Sequence, residues 1–315
     1  MHSFRIFSLD LRVTYKATLC VWFWLTMNTW LRWCVCSSVV KYQPRRDVMK
    51  LKYLLLISSF FCCSLQAQQT DWKKVQDELT TKVRSPNFVI KVLDENKLVG
   101  MPRRVFQEHL TELYKNDDVL TYLVNEMRSA GFEKSKNVSE DGRKFGSELF
   151  LSLAMKGLSR LSTSEQRAFL SFLNQFMNYA SPEDCKYLLV NGSSTTALEG
   201  ADIEIKYYNK FKEEGLRYYF YTMRQAIYAE VRDYPSAKVL NKNQIKIADD
   251  ALSIEFENKF KENKIPKSVL LAFLDMNASA PKDVCEVGKI SINAILDLKG
   301  FAGDLAVAKF ISSIK

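Results

Sequence analysis

Apolar residues recur at three- and four-residue spacing almost without interruption from residue 105 to the C-terminus, and a chain patterned this way folds as helices. Val105, Phe106, Leu110 and Leu113 fall on one face, and Val119, Leu120, Leu123, Val124 and Met127 repeat the pattern before Gly131 stops it. Phe145, Leu149, Leu153, Leu158 and Leu161 form the next stripe, followed by Phe169, Leu170, Leu173, Phe176 and Met177. Further helices are expected at 203–233, 243–262, 267–276, 282–298 and 303–314; the last two carry few charges and should lie centrally. Ser162 and Glu165 have capping-box spacing. Ser181-Pro182-Glu183-Asp184 reads as a cap, a first-turn proline and two acids at the positive end of a helix dipole. The low counts of 11 Gly and 7 Pro in 315 residues argue against a loop-rich all-β fold. The expectation is an all-α multi-helix globular domain of about eight to ten helices. One short hairpin is expected near 88–101, where Val89 to Leu93 suits a strand as well as a short helix. Asn191 to Gly200 (NGSSTTALEG) reads as a linker between an N-terminal half, 68–190, and a C-terminal half, 201–315.

The composition is uneven. Residues 1–67 hold five of the 7 Cys and four of the 5 Trp, with nine Lys/Arg and two acids. Beyond them 36 basic residues face 34 acidic ones, so the formal net charge of +9 belongs mostly to the first 67 residues. A nucleic-acid partner loses its electrostatic basis. Met49 opens a secretory signal: Lys50 and Lys52 make a basic start, Tyr53 to Leu65 an apolar stretch, and Ala67 a cleavage site. Residues 1–48 are then an upstream extension that is not native to the protein. The rival expectation is a membrane tether built from residues 1–67. It would place Lys41 to Lys52, with five positive charges and one negative, outside the cytoplasm, against the positive-inside rule. The protein is therefore expected to be exported, to the periplasm in a Gram-negative source.

Removing residues 1–67 leaves Cys185 and Cys285 alone, an even number in an oxidising compartment, and these are expected to form a disulfide. Each sits just inside a helix start marked by Pro182 or Pro281. The competing role is a reactive thiol whose pKa a helix N-terminus lowers.

Tyr207 to Tyr234 is the densest unusual segment, with seven tyrosines, Phe211 and Phe220 interleaved with Lys206, Lys210, Lys212, Arg217 and Arg224. Phe211, Tyr219, Met223, Ile227 and Val231 make a core stripe. Tyr218, Tyr221 and Tyr228 lie on an adjacent face with Gln225 and suit a groove wall or an interface, because tyrosine buries a ring and keeps a polar tip wet.

Catalytic and metal chemistry find little support. His109, the one histidine beyond residue 67, sits at the edge of a core stripe and reads as a satisfied boundary residue. Asn137 to Glu148 has the outline of a calcium loop, with oxygens at positions one, three and five, Gly142 sixth and Glu148 twelfth. Asn137 replaces the usual Asp, however, and Arg143 and Lys144 oppose the ion. There is no glycine-rich phosphate loop, no His-Glu-x-x-His, no Cys-x-x-Cys and no Gly-x-Ser-x-Gly, so no metal or cofactor is assigned. Asn137, Asn191 and Asn277 head chance Asn-x-Ser sequons. A hydrolase of cell-wall polymers using carboxylates alone remains the enzymatic alternative, with Glu108, Glu112, Glu140 and Glu148 too ordinary to choose among. The expectation is a non-catalytic binding module whose partner is a protein or a cell-wall component.

Overall fold

The computed structural model describes residues 71–132, 138–191, 197–262 and 264–314. The expected signal at 49–67 and the extension at 1–48 lie outside these residues. The described residues are all-helical, with no strand. In chain order the helices are α1 (Trp72–Val83), α2 (Pro86–Glu95), α3 (Gly100–Lys115), α4 (Asp117–Ser129), α5 (Val138–Gly157), α6 (Thr163–Tyr179) and α7 (Pro182–Asn191). They continue with α8 (Ala197–Ile205), α9 (Glu213–Val231), α10 (Lys242–Glu262), α11 (Lys267–Leu274), α12 (Pro281–Asp297) and α13 (Gly300–Ser313). Among the described residues no helix is long and apolar enough to cross a membrane.

Two expectations need correction. The hairpin near 88–101 is absent: that stretch is α2 and the turn into α3. The Ser85 hydroxyl caps the Phe88 amide at 3.2 Å and Pro86 supplies the first-turn φ. The helix ends in a Schellman turn, with Lys97 at φ 52. Leu98 N–H donates to the Leu93 carbonyl at 3.1 Å and Lys97 N–H to Asp94 at 3.0 Å. The β-branched run that suggested a strand is buried at helical spacing, Val89 and Leu93 inside and Ile90 out. Among the described residues the helix count, 13, is also higher than expected, partly because 203–233 is not continuous. Tyr208–Lys210 is a 3-10 turn and Phe211 is extended before Lys212 opens α9. Tyr208 and Phe211 are buried across this break, which carries the apolar period through a change of axis.

The same joint occurs earlier. Leu158–Arg160 is a 3-10 turn, Leu161 is extended and buried, and Ser162 caps α6 with the anticipated Glu165 capping box. Both joints turn a helix end into a new helix start through one buried apolar anchor, Leu161 or Phe211.

Two helices organise the interior. α9 packs against α3, α4, α5 and α6, whereas α12 packs against α6, α7, α10, α11 and α13. α6 touches both. The largest buried cluster draws on both sides of residues 192–196, from Val89 through Phe169 to Ile311. A smaller cluster of Val269, Phe273, Val284 and Val287 seats α11 on the outer side of α12. At the α5–α9 crossing a Cβ on Gly157 would fall 1.9 Å from the Ala226 carbonyl oxygen, so only glycine permits that approach. Cys185 and Cys285, both buried, are disulfide-bonded with Cα atoms 5.5 Å apart. The bond joins the first turns of α7 and α12.

The disulfide closes a loop with a sequence separation of 100. In the chain-entropy account such a loop restrains the unfolded state by up to about 4–5 kcal/mol. Replacing both cysteines by serine should lower the free energy of urea unfolding by up to that amount. Protein lacking residues 1–67, denatured without reductant, should titrate no free thiol; two free thiols would exclude the bond.

Candidate functional site

α3 and α9 meet through a ladder of side chains that the sequence writes in complementary order. α3 presents Arg104, Glu108 and Glu112 at four-residue spacing, and α9 presents Glu213, Arg217 and, two turns on, Arg224. The first two rungs close. Arg104 holds Glu213 at 2.5 Å. Arg217 clamps Glu108 with both terminal nitrogens and reaches Glu213 at 2.8 Å, and these two acids hold the Arg217 pKa above its ordinary value. Further along, the Tyr228 hydroxyl donates to the Glu112 backbone carbonyl at 2.9 Å. Arg232 then holds Asp118 of α4 at 2.9 Å.

Along the ladder, from Arg104 to Arg224, the helices enclose an open groove of about 540 Å³, within the range of small-molecule sites. Val105 and Phe220 line its apolar part, and Glu108, Glu112, Arg217 and Arg224 its charged part. The third rung of the ladder is unmade. Glu112 turns to Lys115 on its own helix at 2.6 Å, and Arg224 meets His109 Nδ1 at 3.3 Å.

His109 is buried. Its ring stacks on Phe220 at 4.8 Å and on Phe106 at 5.7 Å. Burial, and then the Arg224 charge, push its pKa down to about 3, against a hydrogen bond to the Phe220 backbone that raises it. A neutral imidazole donating to the Phe220 carbonyl leaves Nδ1 as an acceptor for Arg224. Such a histidine orients the guanidinium but does not balance its charge, and with so low a pKa it is a poor general base.

The three tyrosines singled out from the sequence are not equivalent. Tyr218 and Tyr221 are 44% and 42% exposed, with stacked rings 6.1 Å apart. Tyr221 stands three and four residues from Arg224 and Arg217, on the outer edge of the groove wall. Tyr228 is half-buried and tied to the Glu112 carbonyl, with Arg232 5.9 Å from its ring centroid.

The carboxylates of the groove, Glu108 and Glu112, are exposed and each faces a cation. The carboxyl whose pKa burial raises is Glu204, against hydrogen bonds from Tyr219 and Tyr208 that lower it. It keeps part of its surface in solvent, but its Oε2 accepts from both phenols at 3.1 Å, and it does not line the groove. Of the calcium-loop outline, Asn137 lies outside the described residues, and the backbone from Val138 through Glu148 is helical, a path that cannot wrap an ion. Among the described residues no group of three or more His, Cys, Asp or Glu could hold a metal.

Sequence reasoning missed Arg104 and Phe220 as groove residues and gave Arg217 and Arg224 no role. The available signal was the opposed charge order, plus–minus–minus on α3 against minus–plus–plus on α9.

The His109 environment predicts a pH dependence. Its folded pKa, about 3, lies below the unfolded value near 6.5, so its contribution is fully present above pH 6.5. It is lost as pH falls towards 3, at about 1.4 kcal/mol per pH unit. Glu204 acts in the opposite sense, contributing below its unfolded pKa and losing that contribution as pH rises through its raised one. It is common to wild type and to His109→Leu, so the difference between their unfolding free energies should stay flat above pH 6.5 and shrink steadily from there to pH 4. A constant difference across that range would refute the buried neutral imidazole.

The chain matches no protein-family model, no curated protein and no solved structure.

Proposed function

We infer that this protein is an exported recognition module that works by binding along the α3–α9 face and carries out no catalysis. The observation behind this reading is the open groove between α3 and α9, lined by Glu108, Glu112, Arg217 and Arg224, together with the exposed, stacked Tyr218–Tyr221 pair on the same α9. Stacked aromatic rings beside arginines, one of them without a carboxylate partner among the described residues, form the kind of surface in which aromatic and arginine side chains dominate affinity. A carboxylate hydrolase needs an acid whose pKa burial raises within the cleft. The groove supplies exposed, ion-paired acids instead.

Export is supported from a separate direction. A disulfide between two buried cysteines suits an oxidising compartment, and Lys50, Lys52 and the apolar run to Leu65 supply the signal to reach it. The partner is a protein or a cell-wall component. Expressed from Met49 in an exporting bacterium, the protein should be recovered outside the cytoplasm with its N-terminus within a few residues of Gln68. N-terminal sequencing that finds residues 1–48 on the product would overturn export by this route.

Replacing Tyr218 and Tyr221 together with serine should change stability by less than about 1 kcal/mol, as exposed positions do. It should also abolish capture of the partner from the exported fraction. Tyr228→Phe should cost about 1 kcal/mol through its lost hydrogen bond with capture retained. Full capture by the double serine variant would remove the tyrosine pair from the recognition surface.

A further inference from the structure

We propose that the α3–α9 groove binds a small zwitterion, an α-amino acid or short peptide, with its carboxylate on Arg224 and its ammonium on Glu112. This rests on the reading of the groove as a recognition surface and names the ligand class it would take.

The charge order of the two helices carries the argument. Arg104 with Glu213 and Arg217 with Glu108 satisfy each other. The remaining pair, Arg224 and Glu112, both line the groove without forming an ion pair with each other. Arg224 has a neutral histidine nitrogen as its neighbour, which accepts one hydrogen bond and leaves the rest of the guanidinium's donors and its full charge towards the groove. Planar two-point recognition of a carboxylate suits that group. Glu112 is exposed, and its partner Lys115 is an exposed neighbour on the same helix; pairs of that kind are weak and readily exchanged. Both charges also act at one place. Burial raises the Tyr228 pKa, and on top of that Arg224 lowers it and Glu112 raises it, so both charges reach that hydroxyl.

Net charge then selects among ligands. A bare anion drawn to Arg224 would meet Glu112, and a bare cation drawn to Glu112 would meet Arg224. A zwitterion satisfies both and leaves the balance of the groove unchanged. Val105 and Phe220 line the groove but keep only 2% and 4% of their surface exposed, so the charges carry the selection.

Isothermal titration with leucine, N-acetylleucine and leucinamide tests this, because the two derivatives remove the ammonium and the carboxylate one at a time. Leucine should bind, and each derivative should bind at least about tenfold more weakly, the loss expected for one charge-assisted hydrogen-bonded contact. Arg224→Gln and Glu112→Gln should weaken leucine to a similar degree with the melting temperature unchanged. A parallel titration with dileucine decides between a free amino acid and a short peptide as the source of the same chemistry. Absence of leucine and dileucine binding, equal binding of either derivative, or unaltered affinity in both variants would overturn the proposal. If titration fails while the Tyr218, Tyr221 double variant still abolishes partner capture, the zwitterion is lost and the recognition surface stands. If leucine binds as expected and the double variant captures normally, the site stands and the tyrosine rim does not.

Discussion

The contact of Gly157 with Ala226 fixes where α9 lies, and most of the molecule follows from where α9 lies. With a Cβ 1.9 Å from a carbonyl oxygen, any side chain at 157 would drive the two backbones apart. At that separation α9 sets Leu216, Tyr219, Met223 and Ile227 into the core and turns Arg217, Tyr221, Arg224 and Tyr228 towards α3 and solvent. The aromatic stack of Tyr219 on Phe172, 3.7 Å between centroids, then seats α6 on the same helix. Interiors at this density do not yield to an added methyl group without shifting elements.

The groove lies where the rungs between α3 and α9 fall out of step. From the Arg217 rung to the Tyr228 rung α9 advances eleven residues, about 16 Å, while α3 advances only from Glu108 to Glu112, about 6 Å. Along that stretch Glu112 pairs with Lys115 and Arg224 meets His109, so the ladder lapses there. His109, buried and stacked on Phe220, gives Arg224 one acceptor and no charge, so Arg224 is held in place without being neutralised.

Much of the helical architecture was legible because burial on a helix imposes a period that survives in any sequence. The capping box at Ser162 and the starts at Pro182 and Pro281 appear where residue chemistry placed them. α2 was ambiguous because β-branched residues suit strands, and only the Schellman turn at Lys97, a non-glycine residue in the left-handed region, decides for a helix. The break at Tyr208–Lys210 was invisible because Tyr208 and Phe211 keep the apolar count going through it. The two 3-10 joints share a short pattern, a buried apolar or aromatic residue, a polar one, a basic one and a second buried apolar one, in Leu158 to Leu161 and in Tyr208 to Phe211. Of the candidate surface, Tyr218 and Tyr221 were readable as an exposed face. The tie of Tyr228 to α3 was not, since it depends on a carbonyl 116 residues away in sequence.

The covalent restraint and the groove sit in different parts of the packing. The disulfide fastens α7 to α12, beside the close approach of Gly288 to Leu189 and Met177, whereas the groove belongs to α3 and α9, with α6 as the helix common to both neighbourhoods. A restraint placed there lowers the entropy of the unfolded chain without stiffening the groove itself. The groove keeps a cheap internal alternative, a direct pairing of Arg224 with Glu112. Exposed ion pairs of that sort are worth at most about 1 kcal/mol, less than the two charge-assisted contacts a zwitterion would make. Leaving that rung open therefore costs the free protein little, and a ligand that closes both halves of it at once has little to displace.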